Sequence, residues 1–239
     1  MIIVSSRVQH SLPLGVRCLV NMKDQDIHAC MRLLGREVRR WKGPVVGIVA
    51  KASRDPFQIL IATILSLRTR DQTTEEASER LFRLAKTPIA MGNLTVRQIE
   101  RAIYPVGFYR TKARQIREIC RQLQKRYRGR VPDDINELLT LPGVGRKTAN
   151  LVVTLGFQKP GICVDIHVHR ISNRWGYIQT RTPAESEAAL RSKLPKSYWI
   201  GYNDLLVPFG QNICTPISPR CSVCKLTRYC SRVGVTTSR

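Results

Sequence analysis

The sequence predicts an all-α protein, and three observations predict it. Apolar residues recur at three- and four-residue spacings, most clearly over 110–127, where Ile116, Ile119, Cys120, Leu123 and Tyr127 share one face. Helix start and stop signals punctuate the chain, among them Asp55-Pro56, Thr95 and Gly43-Pro44. No stretch alternates apolar and polar residues as a half-buried strand does. About ten helices and no internal repeat are expected.

Residues 1–25 carry little periodicity and read as an extension, with Met22 a candidate start. Residues 26–41 read as a helix on Ile27, Met31, Leu34 and Val38, and a loop follows to 54. Asp55 at the N-cap and Pro56 at N1 then open a helix, FQILIATILSL, that is apolar all round and therefore central. SLRTRD (66–71) is a corner carrying Arg68 and Arg70, with Thr69 or Asp71 placed to cap a polar helix over 72–85. Thr95 caps a helix over 95–104, and VGFYRTK (106–112) reads as a loop. Opposite the apolar face of 110–127 run Arg110, Arg114, Arg117, Arg121, Lys125 and Arg128, and Glu118 is the one acid there. A row so nearly single in sign repels itself unless a polyanion lies nearby. Asp133 or Asp134 caps a short helix over 131–142. Further helices start at Asp165 and cover 184–194 and 197–211.

The 239 residues suffice for one large domain or two small ones with a sizeable core. A hydrophobic content of 43% excludes global disorder. Lys and Arg number 40 against 17 Asp and Glu, a net charge of +23. Such a field concentrates polyanions, which makes nucleic acid the leading partner; a basic surface serving solubility is the plainer alternative. The opening MIIV is too short for a signal-peptide core, and no apolar run approaches the ~20 residues of a membrane span. A cytoplasmic protein is expected, nucleoid-associated in a prokaryote.

The chemistry concentrates in LPGVGRKTANLVVTLGFQKPGICVD, residues 141–165. LPGVGRK reads as a tight turn between two helices. Gly143 and Gly145 permit positive φ and close approach, and the turn directs backbone N–H groups outward at a helix start, a site for an anionic oxygen. Lys147 lies in the first turn of that second helix, where the macrodipole and burial against Leu151 and Val152 favour a free amine. A plain phosphate contact is an equal reading of this lysine. Asp165 stands among Ile162, Val164 and Ile166 before a helix, placed as an N-cap held ionised. Such a carboxylate stabilises a developing cation or accepts a proton, and simple capping is its plainer role.

Four of the eight cysteines crowd the C-terminus as Cys214, Cys221, Cys224 and Cys230, while Cys18, Cys30, Cys120 and Cys163 are scattered. C-x6-C-x2-C-x5-C suits metal ligation in a reducing compartment, either Zn²⁺ or a [4Fe–4S] cluster. Only Cys221 and Cys224 form the close pair usual for structural zinc, which favours the cluster.

LPGVGRKTAN (141–150), VDIHVHRISNR (164–174) and the four-cysteine spacing together resemble the endonuclease III family of DNA glycosylases, over residues 28–230. The resemblance implies a two-lobed helix-hairpin-helix DNA glycosylase fold. A six-helix barrel lobe would take 49–159, with the hairpin at 141–147. Residues 28–48 and 160–239 would form a discontinuous iron–sulfur lobe, and 1–27 an N-terminal extension. It implies a [4Fe–4S] cofactor on Cys214, Cys221, Cys224 and Cys230, and a monomer that binds damaged double-stranded DNA with one nucleotide flipped into the cleft. It implies further that Lys147 attacks C1′ of an oxidised pyrimidine nucleotide, that Asp165 assists, and that a Schiff base and β-elimination cut the strand. DNA contacts would come from Arg68, Gly143, Val144, Gly145, Arg146, His167 and Arg220.

The chain departs from that family at two places. Arg68 stands where a Gln usually fills the gap left by the flipped base, and Ile166 stands where a Thr usually follows the Asp. Lys147 argues against the adenine- and thymine-mismatch branches, and Thr63 stands where the former has a catalytic Glu. A mismatch or uracil glycosylase and a non-catalytic DNA-binding module are the alternatives.

Overall fold

The computed structural model describes residues 22–41 and 43–239. Among them the regular structure is helical, with twelve α-helices and no strand. The helix signals in the sequence place most of them, and the departures have local causes.

Helix α1 (Asp26–Glu37) ends in a 3₁₀ turn over Val38–Arg40. The segment expected as a loop holds a helix, α2 (Val45–Ser53). Its apolar run, VVGIVA, has no polar face to set a period, and Gly47 in it lies against Asp204, 3.4 Å from where a Cβ would stand. Helix α3 (Pro56–Ser66) starts as expected, with Asp55 accepting the Phe57 N–H at 2.9 Å. Every side chain from Ile59 to Leu65 is buried. At ~1.5–3 kcal/mol for each large aliphatic side chain, this helix anchors the first core.

Helix α4 (Asp71–Leu84) is capped by neither Thr69 nor Asp71: Arg70 holds the N-cap position with no side-chain bond, and Asp71 is already the first helical residue. The short α5 (Pro88–Gly92) was not expected, although Thr87 caps it at Ala90 N. Thr95 caps α6 (Val96–Ile103) in a reciprocal capping box with Gln98. Helix α7 (Tyr109–Tyr127) begins inside the segment expected as a loop. Asp134 caps α8 (Ile135–Leu139). After the hairpin come α9 (Arg146–Leu151) and a π-helical turn over Val152–Gly156. Helices α10 (Ile166–Arg174), α11 (Pro183–Lys193) and α12 (Tyr202–Asn212) complete the set. None is long and apolar enough to cross a membrane.

Two separate apolar cores divide the molecule. The first runs from Val45 to Cys163 and is built on α3, which packs against α2, α4, α7, α9 and the π turn. The second joins α1 to the C-terminal helices around Trp175, Tyr177, Tyr202 and Phe209. Met22 and Ile27 belong to this second core, so the lobe starts before residue 28: both are apolar, and both are shielded from solvent. Of the other residues assigned to the extension, 1–21, with Cys18 among them, lie outside the described residues. Of the remaining scattered cysteines, Cys30 and Cys120 are buried, and burial pushes each thiol up to about 12. They behave as small apolar fillers.

Candidate active site

Between the two cores lies a cleft of about 250 Å³, lined by α2, the 66–71 corner, α9, the start of α10 and α12. Lys147 and Asp165 face each other in it, with Nζ 3.4 Å from Oδ2. They come from opposite sides of the fold, because Lys147 belongs to the hairpin helix and Asp165 caps α10. Asp165 Oδ1 accepts the His167 and Val168 N–H groups, each at 2.9 Å. One oxygen is therefore fixed by the helix and the other is free to face the lysine. The Asp165 side chain is 8% exposed and that of Lys147 40% exposed, so Lys147 is less buried than the sequence suggested.

The hairpin is built differently from expectation at one glycine. Gly143 takes φ 76°, and a Cβ there would meet the Gln115 amide at 2.8 Å, so only glycine fits. Gly145 has φ −94° and ψ 177°, ordinary extended backbone, with open space where a Cβ would stand. Its bareness leaves the approach to the start of α9 unobstructed. Val144 turns its side chain into the first core, and its N–H is bonded to Leu141 O at 3.2 Å. It is thus a hairpin anchor with no free donor of its own. The first N–H groups of α9 have no partner in the helix.

Arg146 is committed across the lobes. Its Nε and a terminal nitrogen donate to Glu187 at 2.8 and 3.2 Å, and Arg191 donates to the same carboxylate at 3.0 Å. Burial pushes the Glu187 carboxyl up, but the two guanidiniums outweigh it and hold the group below its usual range. Arg191 also reaches Asn150 Oδ1 in α9 at 3.3 Å. This cluster ties α11 to the hairpin helix and fixes where Lys147 stands.

Arg68 lies at the cleft edge in the left-handed region, φ 53°, with its guanidinium 5.6 Å from the Phe108 ring centre. Phe108 is 63% exposed and also left-handed, φ 59°. Sequence reading missed it; an aromatic next to a glycine and followed by a basic helix was the available signal. Beneath both, buried Lys112 donates to Leu65 O at 2.9 Å, Leu67 O at 2.5 Å and Thr69 Oγ1 at 3.2 Å. Thr63 is buried and bonded to Ile59 O at 2.7 Å, away from the cleft lining.

His167 lines the cleft, and its Nδ1 lies 3.0 Å from an Arg170 nitrogen. Burial, first, and the neighbouring Arg170 lower its pKa, favouring neutral imidazole. Asp204 also lines the cleft, where burial raises its carboxyl; no local pattern in the chain marks it.

Cys214, Cys221, Cys224 and Cys230 line one small pocket with Arg174, Trp175, Phe209 and Arg220. Among the described residues no group of three or more His, Cys, Asp or Glu side chains is gathered as a ready-made metal site. The donor set nonetheless fits a thiolate-bound group. Four sulfurs face one largely apolar space, the Arg232 N–H points at Cys230 Sγ at 3.4 Å, and Arg174 points at Cys214 Sγ at 3.5 Å. Two α10 arginines brace the segment: Arg170 donates to Cys214 O at 3.0 Å, and Arg174 to Thr215 O and Pro216 O at 2.6 Å. The cysteine loop is thereby fastened to the helix that Asp165 caps. Arg220 is exposed beside it.

A lysine on a hairpin helix, facing a helix-capping carboxylate across two helical lobes, defines a helix-hairpin-helix protein of the base-excision type. Residues 61–196 match the HhH-GPD superfamily of base excision DNA repair proteins. Endonuclease III of Thermotoga maritima is 51% identical over 176 residues, covering 74% of this chain and 83% of that protein. A solved endonuclease III trapped as a covalent intermediate with DNA superposes with a TM-score of 0.77 at 35% identity, covering 87% of this chain and 95% of that one. A thermostable thymine-DNA glycosylase superposes with a TM-score of 0.68 at 27% identity, covering 85% and 98%. The chain belongs to the HhH-GPD superfamily, on its endonuclease III side.

Proposed function

We propose that the chain is a bifunctional DNA glycosylase and abasic-site lyase acting on oxidised pyrimidines in duplex DNA. The 3.4 Å approach of Lys147 Nζ to Asp165 Oδ2 in the cleft carries this reading. Asp165 is placed to take a proton from the ammonium, leaving an amine that attacks C1′ of the flipped nucleotide. As the N–glycosidic bond breaks, the same carboxylate faces the positive charge developing on the sugar. Opening of the sugar gives a Schiff base at Lys147. Loss of a C2′ proton then expels the 3′ phosphate and cuts the strand.

The DNA would be held at four places. The start of α9, bared by Gly145, takes one phosphate. Arg68 and Phe108 form a lip suited to fill the space of the extruded base and stack on its neighbours. His167 faces the sugar–phosphate side of the cleft, and Arg220 carries the contact from the cysteine loop. Cys214, Cys221, Cys224 and Cys230 would hold a [4Fe–4S] cluster, which supplies a fixed cross-link for that loop. We expect a monomer.

Borohydride should trap the holo-protein covalently on a duplex containing an oxidised pyrimidine, and Lys147→Gln should abolish trapping. Full trapping by Lys147→Gln would overturn the role of Lys147. Base release without strand cutting would instead favour a mismatch or uracil glycosylase. A colourless, zinc-loaded native protein would overturn the cluster.

A further inference from the structure

The outer face of α7 is not used by the cleft, and it carries a row of six basic residues. Arg110, Arg114, Arg117, Arg121, Lys125 and Arg128 are all exposed. At 3.6 residues per turn they fall within a sector of about 80°, and over eighteen steps they span about 27 Å. Glu118, the one acid on the helix, is already taken by Arg121 at 2.6 and 2.7 Å and by Gln122 at 2.9 Å. Among the described residues no carboxylate lies within 4.0 Å of the other five. Arg114, Arg117 and Arg121, with Glu118 and Gln124 between them, line a groove of about 340 Å³ whose other lining is Gly92, Asn93 and Val96.

Neighbouring charges along the row rise about 4.5–6 Å apart along the helix axis, so they repel one another before salt screening. A partner with negative charges at a matching repeat reverses that sign. One strand of duplex DNA presents a phosphate about every 3.4 Å along its axis, or about eight over the length of the row. The row also begins at the cleft lip. Phe108 immediately precedes α7, exposed Tyr104 packs edge-on against Tyr109 at 5.4 Å, and the Arg110 guanidinium lies 5.4 Å from the Tyr109 ring centre. Aromatic rings leading into a basic groove suit a nucleic acid better than an acidic peptide or a lipid surface.

We propose that the outer face of α7 is a second phosphodiester track, which binds the duplex backbone flanking the lesion on the side that leaves the cleft past Phe108. The track rests on the reading of the cleft as a DNA site, and it adds length-dependent grip rather than chemistry. It would lengthen residence on long DNA while leaving excision on a short duplex unchanged.

The test uses the full-length holo-protein and two duplexes bearing a central abasic site, natural for the cutting assay and a stable, uncleavable analogue for the binding titrations. One ends near the cleft, and the other extends about ten base pairs beyond the ~27 Å row. Arg114→Ala/Arg117→Ala/Arg121→Ala should reduce the slope of log Kobs against log [salt] on the long duplex by about 2–3, at roughly 0.9 per lost phosphate contact. Strand cutting on the short duplex should stay within about twofold. Arg32→Ala/Arg36→Ala/Arg39→Ala removes the same charge from the far lobe and should leave the slope unchanged. The corresponding triple Lys variant on α7 should retain it. An unchanged slope in the α7 Ala variant, or an equal loss in the far-lobe variant, overturns the track. Selective loss of RNA or anionic-vesicle binding with DNA binding intact also overturns it. If the wild type cuts neither duplex, the proposed function fails by itself, whatever the slope.

Discussion

Asp165 divides its two carboxylate oxygens between the cap of α10 and the Lys147 side chain. Oδ1 closes the first turn of α10 through two backbone N–H groups, and Oδ2 faces Lys147 at 3.4 Å. The cap orients the acid, so the geometry of the proposed catalytic pair is inherited from helix termination. The two duties separate by substitution. Asparagine caps a helix about as well as aspartate, whereas alanine forfeits ~1 kcal/mol. Asp165→Asn should therefore fold with near-native stability and lose roughly 10²–10⁴-fold in turnover. Asp165→Ala should lose activity to a similar extent and about 1 kcal/mol of stability besides. Urea unfolding beside single-turnover cutting measures both; retained activity in Asp165→Asn would remove the charge from the mechanism.

The Glu187 cluster gives a pH dependence of stability. Its folded-state carboxyl is held below its ordinary value of 4.5 by Arg146 and Arg191. A depressed carboxyl contributes stability that is present above the unfolded value and lost as pH falls through the folded one. Wild type should thus lose stability below about pH 4.5 more steeply than Glu187→Gln. At neutral pH Glu187→Gln should cost about 1–3 kcal/mol, since the charge-assisted bonds are weakened. Denaturant titrations from acid to neutral pH compare the two; parallel pH profiles would show that the cluster does not couple the lobes.

The lip formed by Arg68 and Phe108 should behave as a DNA element with no duty in folding. Phe108 is 63% exposed, so Phe108→Ala should leave thermal stability nearly unchanged. A lost stacking contact is worth ~1–3 kcal/mol, or roughly 5–150-fold in affinity for a lesion duplex. Phe108→Trp should restore binding. Unchanged affinity for Phe108→Ala in a gel-shift titration would remove the lip from the DNA contact.

Much of this site was legible in the sequence because its signals are local. Asp55, Thr95, Asp134 and Asp165 each cap the helix that follows, and a cap is read within three residues of chain. Lys147 and Asp165 could be named, but their meeting depends on two lobes closing on each other, which no periodicity encodes. The family's spacing supplied that step. Helix α2 was missed because its apolar run has no polar face, and what holds it is its packing on α3. Phe108 and Asp204 were missed because an exposed ring and a buried acid have no sequence mark until the chain is folded around them. The Gly145 expectation failed for a related reason: the turn needs positive φ at Gly143 alone.

Lys112 offers a test of how the lip is held. Its ammonium is buried under the 66–71 corner and gives its three protons to Leu65 O, Leu67 O and Thr69 Oγ1. These carbonyls end α3, where the helix has no N–H left to satisfy them. Thr69 in turn accepts the Gly107 N–H at 3.2 Å, and a Cβ at Gly107 would stand 2.6 Å from Arg68 O. One lysine thereby joins the end of α3, the Arg68 corner and the loop carrying Phe108. Lys112→Met matches its length but leaves Leu65 O without its donor and takes one bond each from Leu67 O and Thr69 Oγ1, which keep the Thr69 hydroxyl and the Gly107 N–H. It should cost about 1–3 kcal/mol of stability, the penalty for stranding a buried polar group. It should also weaken lesion binding beyond what the loss of one positive charge explains, because Arg68 and Phe108 lose their common support. Lys112→Arg keeps the charge but cannot place three donors on one atom, so it should fall between wild type and Lys112→Met. Thermal melts together with binding at two salt concentrations separate these contributions. A Lys112→Met variant with native stability and a purely salt-dependent binding loss would show that this lysine acts only through its charge.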